Sequence, residues 1–228
     1  MSHLKRLKAP REWPFYQRKG KKFIVRPLPG QHKLNSSITM NLILTEMLSY
    51  AKTSRECKKI LNKGSVLVNG KTIKNHRFGV GLMDIISIKD TNEHFIILYD
   101  KHQKFSLFPI KKNEADDLVV RIANKTILKN KKVQLNLSNG YNLLVEKDVY
   151  KTGDSFILNK NKIKKHLKFE RGALVYFIDG KHKGKSGIIE EIIVSTGFTP
   201  GKITIKSDKE KITTRKDYAL VIEKVFKK

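Results

Sequence analysis

The sequence predicts an α+β protein assembled from several small modules: a small α/β module, a central β-rich domain and a C-terminal five-stranded β-barrel. Three observations carry this. Residues 54–73 read as a short amphipathic helix, a glycine stop, a strand and a tight hairpin. From His94 to Phe169 short β-prone runs alternate with turn signals. From Gly172 onward, β-branched runs flank a loop of glycine and lysine. The expected organisation is a basic N-terminal extension over 1–35, the α/β module over 36–93, the central β-domain over 94–170 and the barrel over 171–228.

The helix–hairpin stretch is the most informative. Cys57, Ile60 and Leu61 recur at helical spacing and share one face, while Arg55, Lys58, Lys59 and Asn62 fall on the opposite one. Ser54 is the expected N-cap, and Gly64 supplies the left-handed residue that ends the helix. Val66–Val68 suits a strand, and Asn69-Gly70 is the strongest short-range signal for a two-residue hairpin turn. A row of cations fixed on one rigid element is suited to meeting phosphates, because little further ordering accompanies binding. The plain alternative, a solvated helix face with no partner, is outweighed by the charge of the whole chain.

That charge is large. The 228 residues carry 48 Lys+Arg against 21 Asp+Glu, a formal net charge of +27. Self-repulsion of this size opposes compactness and is relieved by a polyanion, which points to nucleic acid ahead of an anionic membrane surface. No apolar run approaches the length of a spanning helix, and no apolar stretch follows the N-terminal cations, so neither a membrane span nor a signal peptide is expected. The single Cys57 cannot form an internal disulfide, which fits a reducing cytosol. The seven histidines are scattered, no Cys/His zinc spacing exists, and no Ser/His/Asp arrangement can be proposed, so no metal, cofactor or small-molecule substrate is expected.

Residues 1–34 hold ten Lys/Arg against the single acid Glu12, together with four of the six prolines. Proline restricts its neighbours to extended conformations, so an extended basic arm is expected. Trp13, Phe15, Tyr16 and Phe23 lie among the cations; their rings could stack on unpaired bases or pack back on the protein. Ser36–Ala51 reads as a buried helix capped by Ser36 or Ser37. The α/β unit should close by about Lys89. Six strands are expected in the central region: 95–99, 105–110, 118–122, 133–137, 141–145 and 155–158. The acidic pair Asp116-Asp117 is read as a solvated loop edge.

In Gly172–Ile189 a strand at 174–178 leads through Asp179-Gly180 into Lys181, His182, Lys183, Gly184 and Lys185. A phosphate-binding P-loop needs four residues between its glycines and must open a helix. Gly180 and Gly184 are separated by three, and the β-branched run Ile188–Val194 follows. The ATPase reading fails on both counts, and a hairpin loop presenting cations to a sugar-phosphate backbone remains. Beyond it come a loop at 197–201, strands at 203–205 and 219–222, and a charged tail at 224–228 expected to fray.

These features resemble the archaeal and eukaryotic-type (e-type) small-subunit ribosomal protein four family along essentially the whole chain. HLKRLKAPREW at 3–13 is similar to that family's opening. Pro29-Gly30-Gln31-His32-Lys33-Leu34 resembles its Gly-Pro-His-Lys entry, with Gln31 where a proline is usual. Residues 51–61 and Val66–Lys71 resemble the RNA-binding module shared with the bacterial namesake. Residues 79–88 resemble the stretch that closes it, and Gly172–Gly187 the KOW motif. The KOW loop is more basic here than is common, and the short chain fits an archaeal member.

The resemblance implies a non-catalytic small-subunit component, with an SH3-like fold for the KOW barrel. It implies rRNA and neighbouring ribosomal proteins as partners and the cytoplasm as location. The residues expected to bind RNA are Lys5, Arg6, Lys8, Arg11, Trp13, His32 and Lys33 in the extension. In the helix–hairpin unit they are Arg55, Lys58, Lys59, Lys63 and Lys71, and in the barrel loop Lys181, His182, Lys183 and Lys185. Two other classes compete: an RNA-modifying enzyme, for which Asp84, Asp100, Asp154 and Asp179 offer no catalytic context, and a KOW-containing translation or transcription factor.

Overall fold

A computed structural model describes residues 3–14, 19–129, 132–159, 162–193, 200–206 and 211–223. The chain divides into two compact units, Met1–Leu118 and Val119–Lys228, and it is rich in β-structure. The expected aromatic contacts of Phe15 and Tyr16, most of the 197–201 loop and the tail 224–228 lie outside the described residues.

The first unit begins with β1 (Leu4–Lys5), paired antiparallel with β2 (Phe23–Ile24). Among its described residues, the N-terminal segment therefore pairs with itself, where an extended arm was expected. Trp13 explains the difference: it is 1% exposed and its indole N–H donates to the Ser37 carbonyl at 2.8 Å. Burying an indole with its one donor satisfied outweighs the cost of ordering the cationic chain around it.

Next come β3 (Ser37–Thr39), one turn of α-helix α1 (Met40–Leu42) and a π-helical turn over Ile43–Met47. The continuous helix expected over 36–51 is thus shortened. Its first residues pair with β6 (Gly79–Gly81) in the register Ser37↔Gly81, Ile38↔Val80 and Thr39↔Gly79. Thr39, not Ser36 or Ser37, caps the helical turn by accepting from the Leu42 N–H.

Helix α2 (Ser54–Asn62) leads into β4 (Val66–Val68), β5 (Lys71–Thr72) and β7 (Ile85–Ile88). β8 (Glu93–Tyr99) and β9 (Phe105–Pro109) complete a five-stranded sheet of order β5-β4-β7-β8-β9. The two last strands were expected in the central domain. Their pairing (Ile86↔Phe95, Ile97↔Leu107) attaches them to the α/β unit, because β7 and β8 are joined by a tight turn and neighbouring strands hydrogen-bond.

Among the described residues from Asp117 onward, through the second unit, the strands form two antiparallel sheets. The first has the order β12-β11-β10-β13-β14, from β10 (Asp117–Ile127), β11 (Val133–Leu137), β12 (Asn142–Val145), β13 (Ser155–Asn159) and β14 (Lys162–Leu167). Val133, Leu135 and Leu137 alternate inward along β11. The second sheet has the order β18-β17-β16-β15-β19, from β15 (Leu174–Phe177), β16 (Ser186–Ile193), β17 (Lys202–Lys206), β18 (Lys211–Arg215) and β19 (Ala219–Val221). All five strands contribute to one core, with Val175, Ile189, Ile203, Ile212 and Val221 inside it. Asp154 joins the parts of this unit: it accepts from the His166 Nε2–H at 2.8 Å and the Phe169 N–H at 3.0 Å.

Candidate nucleic-acid interface

Helix α2 is a fully capped element. Thr53, one residue before the expected cap, accepts the Glu56 N–H through its hydroxyl at 3.3 Å, and Glu56 reaches back to the Lys52 N–H at 2.8 Å. The Lys52 amide and then the Thr53 hydroxyl hold the Glu56 carboxyl below the usual carboxylate range, so a negative charge stays at the positive end of the helix dipole. Gly64, at φ +76°, ends the helix.

The apolar face carries Cys57 and Leu61, both fully buried, and desolvation raises the Cys57 thiol above its ordinary value. Asn41 pins this face by donating to the Ser54 hydroxyl at 3.1 Å. Arg55, Lys58, Lys59, Asn62 and Lys63 are thereby left on the solvent side, all exposed. The hairpin beside them turns at Asn69 and Gly70, with φ +49° and +77°, as a two-residue turn of primed type requires. Lys71 is exposed immediately after it.

Asp84 fixes this hairpin in place. Fully buried, it accepts from the Asn69 side-chain amide, the Gly81 N–H and the His32 Nε2–H, each at 2.8 Å. The last bond carries the N-terminal segment onto the hairpin.

The expected binding residues divide accordingly. Lys5, Lys8, Arg11 and Lys33 are exposed, but three others are structural. Arg6 is 7% exposed and its guanidinium lies 3.4 Å from Glu46, so its charge is answered within the fold. Trp13 is a core side chain. His32 is spent on Asp84, and its side chain is 7% exposed. Each was singled out for its type within a basic segment, which carries no information on tertiary packing.

In the second unit the β15–β16 connection carries Lys181–Lys185 and enters a strand, so no helix N-terminus faces a phosphate there. Lys181 and Lys185 are exposed. Lys183 folds back to Asp179 at 3.2 Å, and the His182 ring leans on Phe177 with centroids 6.4 Å apart. The loop thus leaves Lys181 and Lys185 exposed, with His182 and Lys183 half-buried.

The fold also brings up residues the sequence reading missed. His76 lies close enough to Lys58 and Arg77 for both cations, after burial, to push its imidazole below the ordinary value. The basic run Lys74–Arg77, just before β6, was the available signal. It extends the α2 row toward the N-terminal segment, where Arg77 donates to the Arg26 carbonyl at 3.2 Å.

Comparison with known proteins finds matches to three stretches of the chain. Residues 2–35 match the RS4NT (NUC023) domain, 44–86 the S4 domain and 91–164 the ribosomal family S4e. The small ribosomal subunit protein eS4 of Methanocaldococcus jannaschii is 41% identical over 231 residues, spanning 96% of this chain and 93% of the relative. The chain belongs to the ribosomal S4e family. A second eS4 relative, from Methanocella arvoryzae, is 37% identical over 98% of this chain and 94% of its own length. The crystal structure of the 30S ribosomal protein S4e from Thermoplasma acidophilum superposes with a TM-score of 0.71 at 26% identity, covering 82% of this chain and 95% of that one. The S4e family is one of structural ribosomal proteins, so the chemistry required of this member is binding and not catalysis. Asp84 and Asp154 are accordingly structural acceptors, with their oxygens taken up by neighbouring N–H groups.

Proposed function

We propose that this S4e family member is a constituent of the small ribosomal subunit in the cytoplasm, where it binds rRNA and touches neighbouring ribosomal proteins. The α/β module holds the principal RNA contact. Arg55, Lys58, Lys59 and Lys63, with Lys71 at the hairpin, engage phosphates along the helix; Lys5, Lys8, Arg11 and Lys33 add contacts from the folded basic segment. The C-terminal sheet acts as a KOW-type, SH3-like barrel whose Lys181 and Lys185 reach a further stretch of backbone. The supporting observation is the α2 cation row, exposed on a helix that is capped at both ends and anchored by its buried face. Such a row is paid for in advance, since its geometry is set before RNA arrives. Selectivity then follows rRNA shape, because A-form grooves conceal base edges.

The test is a titration of a small-subunit rRNA fragment with the full chain over a range of monovalent salt. Each neutralised phosphate releases counterions, so the logarithm of affinity should fall linearly with the logarithm of salt. A flat dependence would sink this reading.

A further inference from the structure

A cleft of about 640 Å³ is lined, among the described residues, by residues 26–34. Pro27, Leu28, Pro29 and Leu34 give it apolar walls, and Arg26 and Lys33 flank them with positive charge. The walls are held from outside. The Leu28 N–H donates to the Arg77 carbonyl at 2.9 Å, Arg77 Nε–H to the Arg26 carbonyl at 3.2 Å, and the Ser37 hydroxyl to the Lys33 carbonyl at 2.9 Å. His32 is fastened to Asp84, and the two prolines fix their own φ angles. Concave, partly apolar and preformed, the cleft has the character of a ligand site and lies in the usual size range.

Its surroundings narrow the occupant. Arg77, which braces one wall, lies beside His76, as does Lys58 of the α2 cation row. A polyanion following that row is led to the cleft. Phosphates alone need no apolar walls, and bases stacked inside a duplex cannot enter them. An unpaired nucleotide supplies both halves, a flat apolar base for the proline–leucine walls and phosphates for the flanking cations.

We propose that the 26–34 cleft receives one unstacked nucleotide of the bound RNA, an inference that rests on the RNA-binding reading above. The S4e chain then recognises a bulge or loop beside the helix that α2 grips, and its selectivity has a local structural source as well as an electrostatic one.

Two variants of the full chain test this with a short single-stranded oligoribonucleotide and a blunt RNA duplex as probes. Gly30→Ile fills the cleft mouth; a Cβ there meets only the Leu28 carbonyl oxygen, at 4.0 Å, so the backbone tolerates it. Leu34→Ala removes a half-buried wall. Both should weaken single-strand binding by about fivefold or more, the lower end of what one stacked base supplies, while duplex affinity stays at the wild-type value. Equal losses on the two probes, or no loss on either, overturn the cleft assignment while leaving RNA binding intact. Failure of the wild-type chain to bind both probes overturns the RNA-binding reading and the cleft with it.

Discussion

His32 donates through Nε2 to Asp84 Oδ2 at 2.8 Å, joining the N-terminal segment to the residue that immediately precedes β7. The contact is specific in shape as well as in charge: a Cβ on Gly81 would lie 2.3 Å from the His32 ring, so only glycine leaves space for the imidazole. Asp84 also carries Asn69 and the Gly81 amide, so one buried carboxylate sets the extension, the hairpin turn and the β3–β6 pairing. Asp84→Ala strips three donors of their buried acceptor and should destabilise the first unit by about 3–5 kcal/mol. Urea unfolding of the full chain, followed by Trp13 fluorescence, reads this directly. A loss under about 1 kcal/mol would show that water replaces the carboxylate without penalty.

Much of this arrangement was legible beforehand where the signal is local. Asn69-Gly70 announces its turn because few other residue pairs take two positive φ angles in succession, and α2 announces itself because its apolar spacing runs for two turns. The illegible parts depend on distant partners. The helix expected from Ser36 starts late because Ser37–Thr39 find β6, far along the chain. β14 and β18 escaped notice because Lys162, Lys164, Lys165 and Lys211 dilute their apolar content. Both are edge strands, where lysine discourages pairing with other chains. Among the binding residues, exposure followed the helical periodicity for Arg55, Lys58 and Lys59, whereas Arg6 and His32 were drawn inward by acids that no spacing rule connects to them.

The contrast between those two groups is testable. Replacing Arg55 and Lys59 together by alanine removes exposed charge from a helix whose caps and buried face are untouched. Stability should stay within about 0.5 kcal/mol of wild type, while rRNA affinity falls and the salt slope becomes shallower by about one to two phosphates. Arg6→Ala should show the opposite pattern: it leaves Glu46 without its guanidinium and lowers stability by about 1–3 kcal/mol, with the salt slope unchanged. Paired denaturation and salt titrations separate the two. Equal slopes in wild type and the double variant would remove α2 from the interface.

His76 offers a proton-linked test of the same surface. Burial first, then Lys58 and Arg77, hold its folded value below the ordinary 6.5. Because the unfolded chain takes up the proton more readily, His76 contributes stability above pH 6.5, and that contribution is lost as pH falls through the depressed value. Phosphates arriving beside Lys58 and Arg77 oppose those two cations and move the imidazole back upward. Binding should therefore take up a fraction of a proton, and affinity at fixed salt should rise as pH drops below 6.5. His76→Gln should flatten both trends, and the difference between variant and wild type isolates this residue from the other histidines. A wild-type pH profile matching the variant's would place RNA away from His76.

Gly187 tests the second unit in the same manner. It pairs with Val175 near the start of β16, and a Cβ there would stand 2.6 Å from Ile205 Cγ2 and 2.7 Å from the Lys206 carbonyl oxygen. The isoleucine can shift; the carbonyl belongs to β17, whose register with β16 pairs Ile188 with Lys206, so it moves only if the strands part. Gly187→Ala should cost about 1–3 kcal/mol, as overpacking in a closed interior does. Its effect should be confined to residues 119–228, since the crowded atoms all lie in that unit's sheet. Amide hydrogen exchange locates the loss: protection should fall along β15–β17 and persist at Cys57, Leu61 and Ile97 in the first unit. Uniform loss across both units would mean that they unfold as one, and unchanged protection would mean that β16 and β17 can separate at no cost.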